Sequence, residues 1–171
     1  MPPGAKVDIV NIEPLTEPVE DPRFTFLEAD ACDFPGEYDF VHSNSAIEHV
    51  GSWTKMEQLA DTIRRLAPSY YVQTPNFWFP YDPHSQRMFF HWMPDYLRAK
   101  AHLRRAVGFH PHAKDMGAAM KEVEHCRMLT KPQFRALFPE AAITDETVLG
   151  IRKSFAAFFD GTSGEARPPR G

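Results

Sequence analysis

The sequence predicts an α/β domain with a mostly parallel sheet. Short β-branched and aromatic runs near the N-terminus are separated by turn residues. Helical periodicity sets in at residue 54, and another strand-like run follows that helix directly. Alternation of this kind joins strands through crossover connections, which favours parallel pairing.

The run VDIVNI at 7–12 reads as the first strand, closed by Glu13-Pro14. A proline- and acid-rich connector over 15–22 has room for one helical turn. FTFL at 24–27 is the second strand, ended by EADA, and YDFVH at 38–42 is the third. From Thr54 onward, Met56, Leu59, Ala60, Ile63 and Leu66 recur at helical spacing, so an amphipathic helix runs to about Arg65. Ser52 stands where it can cap that helix, and Pro68 stops it. YYVQ at 70–73 is the next strand, broken by Pro75. Residues 77–113 are dense in aromatics and interrupted by Pro80, Pro83 and Pro94. Helices are expected over 95–107, 116–125 and 131–138, the last with Thr130 as cap and Pro132 in its first turn. Residues 142–148 and 153–159 read as an antiparallel pair joined at Gly150. The tail 161–171 carries Gly, Pro and Arg and is expected to be disordered. The chain thus reads as one domain over 1–160, with an aromatic-rich insert at about 76–127.

A length of 171 residues suffices for one core. No apolar run is long enough to span a bilayer, and no nucleic-acid motif is present. The start lacks a signal peptide's apolar stretch, and two distant cysteines, Cys32 and Cys126, suit a reducing, cytoplasmic compartment. Charge is uneven: residues 1–50 hold 2 basic and 11 acidic residues, leaving 17 basic and 12 acidic for the rest. The basic excess around Arg98, Lys100, Arg104, Arg105 and Lys114 reads as a solvated helix face.

Open α/β sheets bind ligands beyond the carboxyl ends of their strands. Polar residues recur at those places here: Asn11 or Glu13, then Asp30, then Ser43-Asn44. The stretch EADACDFPGEYDFVHSNSAIEHVG, a helix, and then RRLAPSYYVQTPN resembles the class I S-adenosylmethionine-dependent methyltransferases. The resemblance extends over about residues 6–159 and rests on order and spacing. It implies a Rossmann-like sheet of order 3-2-1-4-5-7-6, S-adenosylmethionine as cofactor, and a small-molecule or sugar-like acceptor. By the same resemblance Asp30 and Ala31 hold adenine, Asn11 or Glu13 the ribose, and Ser43 and Asn44 border the cofactor.

The family's first strand and glycine-rich loop have no counterpart. The chain has nine glycines and no Gly-x-Gly, and it enters the pattern at the second strand. Two readings follow: a truncated methyltransferase, inactive in this form, or a non-catalytic relative serving as a binding or assembly module. In either, strand edges are left uncovered, and a second copy of the chain in a homodimer is one way to cover them.

Methyl transfer from a sulfonium needs positioning, plus a base where the acceptor loses a proton. His49 is the candidate base on the expectation of a near-neutral pKa. Glu48 beside it, with Asn76, Phe79, Asp82 and His84 from the insert, are the candidate acceptor-binding residues, and His91 adds a polar group. His110, His112, His125 and Cys126 could furnish metal ligands, but their spacing matches no recognised site and no metal is expected.

Overall fold

The computed structural model describes residues 3–14 and 20–161. The first strands, Val7–Asn11 (β1) and Phe24–Glu28 (β2), pair in parallel as a two-stranded sheet, Val7 opposite Phe24 and Asn11 opposite Glu28. Strand Phe40–Asn44 (β3) leads through a 3-10 turn at Ile47–His49 into helix Trp53–Leu66 (α1) and then strand Ser69–Pro75 (β4), which pairs with β3 in parallel. The insert contributes a hairpin of Tyr81–Asp82 (β5) and Arg87–Met88 (β6), a 3-10 turn at Phe90–Trp92, and helices Asp95–His102 (α2) and Met116–Glu124 (α3). Helix Lys131–Leu137 (α4) precedes the closing hairpin of Ala142–Val148 (β7) and Ile151–Asp160 (β8).

The second sheet has the order β3-β4-β8-β7, and among the described residues no ladder joins it to β1-β2. Strand β8 runs antiparallel to both β4 and β7, so the sheet is mixed rather than mostly parallel. The cause is the closing hairpin: its longer strand lies between β4 and β7 and runs antiparallel to both.

Helix α1 exists because one face is apolar. Met56, Leu59, Ala60 and Ile63 are buried on it, and Ser52 Oγ accepts from the amide of Lys55 as N-cap. They meet Tyr70 and Val72 of β4, Phe134, Leu137 and Phe138 of α4 and its end, and Phe155, Ala157 and Phe159 of β8 in one core. Tyr70, fully buried, donates its hydroxyl to Glu140 Oε1 at 2.5 Å. Helix α4 starts as expected, with Gln133 Oε1 accepting from both the amide and hydroxyl of Thr130.

Two boundaries differ from the sequence reading. Helix α2 ends at His102, not 107, because the chain then turns back to pair Val107 with His110 around Gly108. Strand β3 begins at Phe40 because Tyr38 is drawn off the ladder: its amide donates to Leu66 O and its hydroxyl to Asp8 Oδ2. The tail from 162 and most of the 15–22 connector lie outside the described residues. No helix among the described residues is long and apolar enough to cross a membrane.

The β7–β8 turn places Leu149 (φ 51°) and Gly150 (φ 79°) in the left-handed region, as a two-residue type I′ hairpin requires. Leucine is strained there, and it is 97% exposed, so packing offsets nothing. Leu149→Asn is expected to raise unfolding stability by about 1 kcal/mol. Chemical denaturation with an unchanged m-value checks this.

Candidate functional site

Strand β3 stops at Ser45, whose φ of 51° turns the chain sharply. Gln73 of β4 holds that turn: its carbonyl accepts from the Ser45 amide at 3.0 Å, and its side-chain oxygen from the hydroxyl at 3.1 Å. The turn delivers Ile47 and Glu48 inward, both fully buried. Thr74 Oγ1 donates to Glu48 Oε2 at 2.9 Å, whereas Glu48 Oε1 is buried with no hydrogen-bond partner. Burial pushes the Glu48 carboxyl above its ordinary range, against the opposing effects of its hydrogen bonds and of His84. The Glu48 carbonyl accepts from Arg127 N at 2.8 Å and so fastens the segment after α3 to this turn.

Asp82 organises the other side. It is 5% exposed and accepts from the amides of His84 (2.9 Å) and Ser85 (3.3 Å) and from Ser85 Oγ (2.8 Å). His84 Nδ1 lies 3.3 Å from the same carboxylate. Burial opposes ionisation of Asp82, but the bonds from His84 and Ser85 outweigh it and hold the carboxyl at about 2. Gly108, at φ 58°, packs against this loop so closely that a Cβ there would lie 2.2 Å from His84 O. Only glycine allows that approach.

The insert lines an open cleft of about 520 Å³, bordered among others by Phe77, Asp82, His84, His102, His110 and Cys126. Imidazoles make edge and tilted contacts in a continuous run: His84 with His49 (4.8 Å), His49 with His125 (5.1 Å), His125 with His110 (5.5 Å) and His110 with His102 (5.5 Å). Glu122 Oε2 lies 2.8 Å from His110 Nδ1. Cys126 Sγ lies 3.4 and 3.5 Å from the two ring nitrogens of His84. Burial, and then the Glu48 and Asp82 charges, push the Cys126 thiol far up, so it is protonated at neutral pH.

The acceptor-side residues divide. Glu48, His49, Asp82 and His84 come together. Asn76 is spent on backbone, donating to Arg152 O and accepting from Trp78 N, and Phe79 is half-buried beside it. The expected near-neutral His49 is corrected: burial and the adjacent His84 lower it to about 4. The strand-end set lies elsewhere and does not line the cleft. Asn11 and Glu13 are exposed, the former accepting from Ile12 N. Asp30 accepts from Cys32 N at 2.9 Å and pairs with Lys55 Nζ at 3.2 Å, and Ala31 packs against the core. Ser43 and Asn44 end β3. Sequence reasoning overlooked His102 and Glu122, and did not link Cys126 to His84. The density of histidine over 102–125 was the available signal.

No family model and no curated protein matches the chain. Solved structures do resemble it. One is an O-methyltransferase family protein from Burkholderia thailandensis, at 13% identity and TM-score 0.44 over 79% of this chain and 35% of that one. Another is the magnesium protoporphyrin IX methyltransferase of Synechocystis PCC 6803 with bound S-adenosylhomocysteine, at 10% and 0.44 over 79% and 51%. A third is LepI in complex with S-adenosylmethionine, at 7% and 0.47 over 90% and 36%. The chain therefore spans between about a third and a half of the length of these structures.

The His49 environment generates a pH prediction. Its folded pKa of about 4 lies below the ordinary 6.5, so the unfolded chain binds the proton first. The stability contributed by burying neutral His49 is complete above about pH 6.5 and is lost as pH falls toward 4. NMR titration of chelator-washed protein should give a His49 midpoint near 4. A midpoint near 6.5 would contradict the described environment.

Proposed function

We propose that the chain carries part of a class I S-adenosylmethionine-dependent methyltransferase domain acting on a small-molecule acceptor. The observation that carries this reading is the strand order. The family order 3-2-1-4-5-7-6, with its first strand removed, leaves 3-2 beside 4-5-7-6. The orders of the two separate sheets here, β2-β1 and β3-β4-β8-β7, are compatible with those two segments and support the reading. The closing antiparallel hairpin falls in the corresponding place.

The residues fit the adenosine half of the cofactor. Asn11 and Glu13 offer acceptors for ribose hydroxyls, Asp30 an ionised carboxylate and Ala31 a small neighbour for adenine, with Ser43 and Asn44 beyond β3. They do not fit the methionine half, for which there is no Gly-x-Gly backbone. The cofactor, when bound, supplies the sulfonium methyl group. The chain's own contribution is orientation and exclusion of water, because His49 at about 4 is a weak base at neutral pH. The second reading, a binding or assembly module, draws support from the Asp30–Lys55 pair, which already engages the adenine-side carboxylate.

Calorimetry with S-adenosylhomocysteine tests the reading. Measurable binding is expected, weakened about tenfold or more in Asp30→Ala as a charge-assisted hydrogen bond is lost. Absence of heat at millimolar ligand would remove cofactor binding and leave the module.

A further inference from the structure

We propose that His49, His84 and Cys126 form a site for a divalent transition metal of the zinc class, with one coordination position left for an exchangeable ligand. The inference rests on side-chain geometry and is independent of the methyl-transfer reading.

Their ligand atoms lie within 4.8 Å of one another, and Cys126 Sγ lies 3.5 Å from His84 Nε2. A tetrahedral zinc holds its N and S ligands about 3.3–3.8 Å apart. The Cys126–His84 pair therefore already has the required separation. Drawing in His49 needs a shift of about 1 Å, within side-chain rotation.

The outer partners fix both imidazoles as ligands. His49 Nδ1 faces His125 O at 3.2 Å. A carbonyl only accepts, so Nδ1 carries the hydrogen and Nε2 presents its lone pair. His84 Nδ1 faces the Asp82 carboxylate, which likewise leaves Nε2 free. A carboxylate or carbonyl behind each ligating imidazole is the usual support of a zinc site. Asp82 is in turn anchored by Ser85.

Charge points the same way. Glu48, the residue before His49, is fully buried with its Oε1 unpartnered. Arg98 lines the same cleft but pairs with Asp95 at 2.7 Å. A buried carboxylate without compensating charge is costly. A divalent ion bound to the Cys126 thiolate would balance it, the thiol proton leaving to solvent on binding. His84 and Cys126 both line the cleft, which supplies an entry path and room for the fourth ligand. Three protein ligands and an open position are the arrangement of catalytic rather than structural zinc sites.

The test uses the tag-free chain, stripped with chelator and titrated with zinc or cobalt(II). About one metal ion per chain is expected, with a thiolate-to-cobalt charge-transfer band in the near ultraviolet. Cys126→Ser should abolish the band. Asp82→Asn should weaken zinc about 10–100-fold. His112→Ala, an exposed control, should change neither. No thiolate band in the wild-type chain at saturating cobalt would overturn the proposal, whatever the variants do. So would a band surviving in Cys126→Ser, which would assign it to Cys32.

Discussion

Strand β4 is the constraint on which the rest of the molecule depends. It is buried along nearly its whole length and paired on both edges, with β3 from Ser69 to Gln73 and with β8 from Ser69 to Pro75. An unpaired amide or carbonyl there would cost about 1–3 kcal/mol, so both neighbours are held in register. Its side chains then carry that order outward. Gln73 fixes the turn at Ser45, and Thr74 holds the buried carboxylate of Glu48. The position of His49 is thus set by the sheet rather than by its own loop.

The site lies where that rigid frame meets the insert. Asp82 gathers the His84–Ser85 loop, Gly108 lets the backbone behind it close in, and the Arg127–Glu48 bond brings up the chain carrying Cys126. Four separate stretches are needed to place three side chains. The local chemistry follows from exclusion of water: a neutral His49 imidazole, a protonated thiol and a carboxyl pushed upward beside one strongly ionised Asp82.

How much of this could be read beforehand depended on whether the cause was local. Helix α1 was legible because Met56, Leu59, Ala60 and Ile63 write its buried face into the spacing, and Ser52 marks its start. The β7–β8 pair was legible at Gly150. The place of β8 beside β4 came only with the resemblance and not from its own residues, because Phe155 to Phe159 suit any doubly covered position. Asp82 and His84 were found as neighbours in a proline-flanked loop. Cys126 joins them from 42 residues away, through contacts that leave no periodic trace. The basicity expected of His49 was misjudged because burial is a property of the fold and not of the residue.

The parting of the two sheets divides the molecule's cohesion unevenly. The main core takes no residue before Ala31, and among the contacts that tie β1 to the remainder is the exposed Tyr38–Asp8 hydrogen bond, with the Asp30–Lys55 pair just beyond β2. The β1-β2 pair draws little of its cohesion from that core, the situation in which local opening can precede global unfolding. A ligand bridging Asp30 and Ser43 would weld the two together, so that occupancy would register as slower amide exchange in β1 and β2 long before it altered global unfolding.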